Sequence, residues 1–228
     1  MLELVAHGTR CPRGQSQVRA LASLVRGRGV PVRLSYVDVQ APRLPTLDVA
    51  PDSVVVPLLL AAGYHVRVDI PHALPTGVRV TPPVGPDPLL AHLLLARLRK
   101  AGLRAGDAVV LAAAGSSDPR AQDDVRSVAA HLGGLLGAPV LVGFASAAQP
   151  RVPAVVGSLR AAGVPRILIA AYLLADGFFY RSLYATTADA VTEPLGPDPR
   201  LADLVVDRYR ARPPQAIDAH AGALDLAR

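Results

Sequence analysis

The sequence predicts an α/β protein made of two tandem, duplicated lobes, each a four-stranded, mainly parallel sheet flanked by helices. Three observations lead there. The chain repeats itself in order, short β-branched runs alternate with longer helical patterns, and 228 residues give each lobe roughly 110, enough for a core of its own.

The repeat is the most informative of the three. LVAHGTRCPR (4–13) matches LAAAGSSDPR (111–120) at five of ten positions. VPVRLSYVDVQAP (30–42) follows the pattern of APVLVGFASAAQP (138–150), and VVVPLLLAAGYH (54–65) that of LIAAYLLADGFF (168–179). VTPPVGPDPLLAHLLLARL (80–98) matches VTEPLGPDPRLADLVVDRY (191–209) at eleven of nineteen positions. The four offsets lie between 107 and 114. A period this long exceeds any solenoid unit and marks a duplicated domain.

Taken in order, apolar runs at 2–6, 32–37, 54–60 and 78–81 are short and β-branched, as buried parallel strands are. Helical patterns fall between them at 15–28, 44–50, 64–74 and 88–101. In the last, Leu89, Leu90, Leu93, Leu94 and Leu98 form an i, i+3/i+4 stripe behind Asp87-Pro88, a cap followed by a first-turn proline. The second copy repeats the scheme with strands at 108–113, 140–144, 167–171 and 190–192. Strand–helix alternation gives parallel sheets with right-handed crossovers. The lobes are expected at 1–104 and 105–212, joined at 102–106, with a tail at 213–228 beyond Pro213-Pro214.

Composition narrows the function classes. Half of the residues are apolar, so the chain folds. Aromatics make up 4 %, with no tryptophan, too few for a row of base-stacking platforms. Lys100 is the only lysine beside many arginines, the net charge is +6, and no run of five basic residues occurs. That argues against nucleic acid as a partner. The arginine surplus reflects either a GC-rich genome or an anionic partner gripped in a bidentate way. One cysteine, Cys11, leaves no intramolecular disulfide or cysteine-based zinc site. No apolar block reaches the length of a membrane span, and MLELVAHGTR does not read as a signal peptide. The expectation is a cytoplasmic monomer or homodimer.

Ligands of parallel sheets collect at the carboxyl ends of the strands. His7 follows the first predicted strand, Asp38 the second, and His65 lies just past the third. The repeat supplies an internal control: their counterparts are Ala114, Ser146 and Phe179. A strand-end polar residue often serves only its own loop, but three coordinated differences at one edge point to a site. Two imidazoles and a carboxylate suit Fe, Co, Ni or Zn, and such groups also take protons near neutral pH. Cys11 reads better as a free loop thiol than as a fourth ligand. Ser116 and Ser117 stand where they either contact an anion or cap a helix. His72, His92, His131 and His220 read as surface or packing residues.

AHGTR after the first strand, PLLLAAGYHVRVDIP in the middle and AAAGSSDPRAQDDV at the start of the second half resemble the sirohydrochlorin chelatases, over residues 1–210. The resemblance implies a two-lobed chelatase fold with the tetrapyrrole between the lobes. It implies a lyase-type chelatase placing a divalent metal in sirohydrochlorin for sirohaem or cobalamin, with Fe²⁺ favoured, Co²⁺ close behind and Ni²⁺ third. No cofactor beyond the substrate metal is implied. His7 and His65 would handle the metal and accept protons, and Asp38, where many members carry Glu, would orient an imidazole or take a proton. Arg10, Arg13, Arg67 and Arg120, near the sheet-edge loops, are candidate partners of the substrate carboxylates.

Readings from other classes fit less well. A histidine phosphatase wants Arg before His-Gly, and Ala6 stands there. A bilobal solute-binding protein should carry a secretory signal, and a dinucleotide enzyme GxGxxG after a strand. A non-catalytic metal or tetrapyrrole carrier shares the ligand chemistry, and stoichiometric binding in place of turnover would reveal it.

Overall fold

The structure is a computed structural model that describes residues 1–211; His220 and the expected tail at 213–228 lie outside them. It contains two four-stranded sheets, both wholly parallel. The first holds β1 (Leu2–Ala6), β2 (Val32–Tyr36), β3 (Val54–Pro57) and β4 (Arg79–Val80) in the order β2-β1-β3-β4. The second holds β5 (Ala108–Ala113), β6 (Val140–Phe144), β7 (Ile167–Tyr172) and β8 (Ala190–Val191) in the order β6-β5-β7-β8. The order is the same in both halves, as duplication requires.

The helices are α1 (Pro12–Arg26), α2 (Ile70–His72), α3 (Pro88–Lys100), α4 (Pro119–Leu136), α5 (Val152–Ala161), α6 (Phe178–Ser182) and α7 (Pro199–Arg210). Three of them start at Asp-Pro. Asp87 Oδ1 accepts from the Leu89 amide (2.9 Å), Asp118 Oδ1 from Arg120 (3.0 Å) and Asp198 Oδ1 from Arg200 (3.0 Å). Each carboxylate satisfies an orphan N–H, and the proline occupies a position whose N–H has no partner.

One expected helix is absent. Residues 44–50 form only a 3₁₀ turn, Leu44–Thr46, where the second copy has the ten-residue α5. The offset between copies rises from 108 before this connection to 114 after it. The first copy is six residues short there, and Pro45 and Pro51 close off what remains. Leu44, Val49 and Ile70 cover the outer face of the first sheet instead, packed on Val5 and Val55.

The inner faces of both sheets share one core with α1, α3, α4 and α7, and here the two copies exchange parts. α3, the last helix of the first copy, packs on β7 and α4; α7, the last of the second, packs on β3 and α1. Reciprocal arginines fix the exchange. Arg208 of α7 donates to the Pro83 carbonyl (3.3 Å) and to Asp87 Oδ2 (2.9 Å). Arg97 of α3 donates to the Leu195 carbonyl (3.3 Å) and lies 3.7 Å from Asp198 Oδ2. Of the predicted stripe, Leu90, Leu93, Leu94 and Leu98 are fully buried in this shared layer and Leu89 is half-buried at its edge. Among the described residues no helix is long and apolar enough to cross a membrane.

With each sheet roofed by the other copy's helix, neither lobe can lose its partner and keep its core. Thermal unfolding should therefore be one cooperative transition, reported alike by probes in either lobe. Leu93→Ala should lower the stability of the whole chain by about 2–5 kcal/mol. Two separable transitions in calorimetry would show lobes that fold independently.

Candidate active site

The carboxyl ends of β1, β2 and β3 bring the three predicted residues together. His7 leaves β1, its carbonyl accepts from the Asp38 amide (3.1 Å), and the Val37 amide donates to Ala6 (2.9 Å). The two loops are thus laced backbone to backbone. Gly8 makes this approach feasible. It sits at φ 97°, and a Cβ there would stand 2.3 Å from the Asp38 carbonyl oxygen. Gly115 in the second copy has φ 100° and would meet the Ser146 carbonyl at 1.8 Å. The glycine belongs to the duplicated frame; the histidine before it belongs to one copy only.

The turn after Asp38 is strained. Val39 has φ 48°, as does its counterpart Ala147 at 53°, a conformation β-branched residues rarely adopt. It turns the Val39 amide onto Asp38 Oδ1 (2.7 Å). That hydrogen bond holds the exposed Asp38 carboxyl below the usual carboxylate range, helped by Arg43, His7 and His65.

His65 opens a π-helical turn, His65–Asp69, that runs into α2; wide turns of this kind recur at functional sites. The His7 and His65 rings meet edge to face with centroids 4.8 Å apart. His65 Nδ1 lies 2.5 Å from Asp69 Oδ2, so Asp69 holds that nitrogen and leaves Nε2 as the free one. Asp69 was not among the sequence candidates. The His-x-x-x-Asp spacing was there to be seen, but only a helical backbone makes it a contact. No group of three His, Cys, Asp or Glu side chains among the described residues forms a ready-made metal cage; the two imidazoles are the converging ligands.

Beside the pair lies a groove of about 410 Å³, lined by Asp38, Leu44, Pro45, His65, Asp69 and His72 among others. It occupies the side of the first sheet from which the missing helix is absent. His72 is exposed and belongs to this groove, while His92 and His131 are exposed on α3 and α4.

The remaining candidates divide. Arg10 and Arg13 are exposed and have no ion pair or side-chain hydrogen bond among the described residues. Arg67 donates to the Ala62 carbonyl (2.9 Å) and lies 3.5 Å from Asp118 Oδ2; Arg120 grips both oxygens of the same carboxylate at 3.1 Å. These two arginines, expected near the sheet-edge loops, share the carboxylate that caps α4. Ser116 Oγ accepts from the Asp118 amide (3.1 Å), the helix-start role, and Ser117 is exposed. Cys11 is buried and faces Arg181 of the other lobe, whose Nη2 lies 2.9 Å from Sγ.

Gly8→Ala should destabilise the chain by roughly 1–3 kcal/mol, read as a lower urea midpoint. Ser35→Ala, a deletion of one hydroxyl on β2, should cost less. A Gly8→Ala midpoint equal to the parent would mean that the His7 and Asp38 loops are not held as described.

With this geometry in view, comparisons with known proteins are informative. The CbiX family model matches residues 1–101 and again residues 108–212. SirB from Bacillus subtilis with Fe³⁺ superposes with a TM-score of 0.74 at 25% identity, over 92% of this chain and 93% of that one. The sirohydrochlorin chelatase SirB from Bacillus subtilis subspecies spizizenii in complex with cobalt gives 0.71 at 22% identity, over 92% and 93%. CbiX, described as the terminal enzyme of sirohaem biosynthesis in denitrifying bacteria, gives 0.68 at 22% identity, over 91% and 96%. No curated protein sequence matches the chain. The family model covers both copies of the duplicated fold, with the His7–His65 pair in the first: this chain belongs to the CbiX family.

Proposed function

We propose that this chain is a sirohydrochlorin chelatase, a lyase-type enzyme that places a divalent metal in the tetrapyrrole. The observation that carries the reading is the meeting of His7 and His65, 4.8 Å apart, at the strand ends of a CbiX-family fold. Support comes from the structural neighbours named for this activity, holding Fe³⁺ in one case and cobalt in another.

Metallation exchanges two pyrrolic protons for one divalent ion. Two neutral imidazoles can hold the ion and then, as it leaves for the ring nitrogens, accept the protons released. Asp69 fixes His65 through Nδ1, so the same nitrogen is presented in every cycle. The Val39 amide and the Arg43 guanidinium favour the ionised form of Asp38. Its role in the proposal is to balance the charge of the incoming metal. Imidazole and carboxylate discriminate little between Fe²⁺, Co²⁺ and Ni²⁺, and supply decides. Fe²⁺ is the preferred assignment, for sirohaem, with Co²⁺ for cobalamin second. Anaerobic turnover with the three ions in competition tests both activity and preference. Stoichiometric metal or tetrapyrrole binding without turnover would make the chain a carrier.

His7→Ala or His65→Ala should each lower kcat by roughly 10²-fold or more. The double variant should fall little further than the worse single one, since groups acting as a unit are not additive. A double variant that metallates at the parent rate would end the proposal. Arg10 and Arg13 are the open counter-charges for the substrate carboxylates. Arg10→Ala and Arg13→Ala should raise KM with little change in kcat and flatten its salt dependence. An unchanged KM in both would assign them to the solvated surface.

A further inference from the structure

The chain is poor in aromatics, yet it exposes two of them at equivalent places in the two copies. Tyr64 and Phe178 each follow the glycine of the shared Leu-Leu-Ala-x-Gly turn, and they are 60% and 82% exposed. A single exposed phenylalanine is unremarked in most proteins; a pair at equivalent places of a duplicated fold, one of them next to His65, is a different matter.

Both are held in position from the opposite lobe. A Cβ on Gly63 would stand 3.1 Å from Ser116 Oγ, and one on Gly177 would stand 3.1 Å from Thr9 Oγ1. The Ala62 amide donates to Asp124 Oδ2 (2.8 Å), and the Asp176 amide donates to Gln17 Oε1 (2.8 Å). Each aromatic therefore springs from a turn pressed against the strand-end loop of the other copy. Following these contacts, His7 leads to Thr9, Thr9 to Gly177, and Gly177 to Phe178. On the other side His65 neighbours Tyr64, ring centroids 6.5 Å apart, and Gly63 leads to Ser116. Tyr64 thus borders the histidine pair and Phe178 springs from the turn that meets the loop after His7, a rim of side chains drawn from both lobes.

The occupant of such a rim must offer a flat apolar face and an anionic edge. The exposed rings supply the first match by stacking. Arg10, beyond Thr9 in the same loop, and Arg13, in the first turn of α1, supply the second. We propose that Tyr64 and Phe178, one from each lobe, hold the face of the metal-free tetrapyrrole beside His7 and His65. The identity of this ligand rests on the chelatase reading above. The duplication then has a functional outcome: the second lobe lost the metal groups and kept a ring contact.

Titration of metal-free sirohydrochlorin into the metal-free protein, followed by its absorbance, tests the pair. Tyr64→Ala and Phe178→Ala should each raise Kd about tenfold or more, the loss expected for one buried aromatic contact. Tyr64→Phe should bind like the parent, and circular dichroism should show all variants folded. Co²⁺ binding without tetrapyrrole should be the same in Phe178→Ala as in the parent, which separates ring binding from metal handling. A Tyr64→Ala/Phe178→Ala double variant with the parental Kd would overturn the proposal, also if it shifts a dimer to monomer, since the rings would then be a self-association surface. If the parent binds sirohydrochlorin but inserts no metal, the chelatase reading falls while the Kd comparison still judges the aromatic pair.

Discussion

The exchange of final helices is the constraint from which the rest of the structure follows. α3 and α7 each complete the core of the copy they do not belong to, and Arg97 and Arg208 lock the exchange at matching positions. The apolar stripe on each helix finds its sheet only when both copies are present, so burial of these side chains, the dominant favourable term in folding, is a property of the pair. Two lobes by sequence are one body by packing. The sheets then stand with their carboxyl ends at a common rim, and loops from either side reach across it.

On that shared frame the two copies differ in what one edge carries. His7 against Ala114, Asp38 against Ser146 and His65 against Phe179 are changes at strand ends; Ala114 and Phe179 pack against the outer core of the second lobe. The elements that keep the loops in shape are retained twice: the glycine pressed on the neighbouring carbonyl and the positive-φ residue after the second strand. The two lobes share the geometry of these loops and differ in the side chains that it presents. The short connection after β2 adds a second asymmetry. Where the second lobe lays α5 on its outer face, the first lobe leaves a groove beside His65 and Asp38.

Much of this was legible in the sequence. The ordered repeat gave the duplication, the β-branched runs gave the eight strands, and Asp87-Pro88 announced its helix. The three site residues stood out because the second copy acts as a control for the first. What could not be read depended on partners distant in sequence. The Leu90–Leu98 stripe says that α3 is buried, yet nothing in a stripe says against which sheet. Arg67 and Arg120 look free until Asp118 is placed between them. Asp69 becomes an orienting group only when the backbone turns helical. The helix expected at 44–50 was a local pattern overruled by length, and the six-residue jump in offset was the clue to it.

The turns that border the rim are tied to the opposite lobe by the Ala62 and Asp176 amides, and Tyr172 Oη adds a third tie to the Leu60 carbonyl at 2.7 Å. Turns fastened at these points, above a common core, join the two halves of the described residues into one frame. For the proposed reaction that frame is a template and not a clamp. In the proposed reaction, the bending of a flat macrocycle on entry would be drawn from its own binding energy against a wall held at three points.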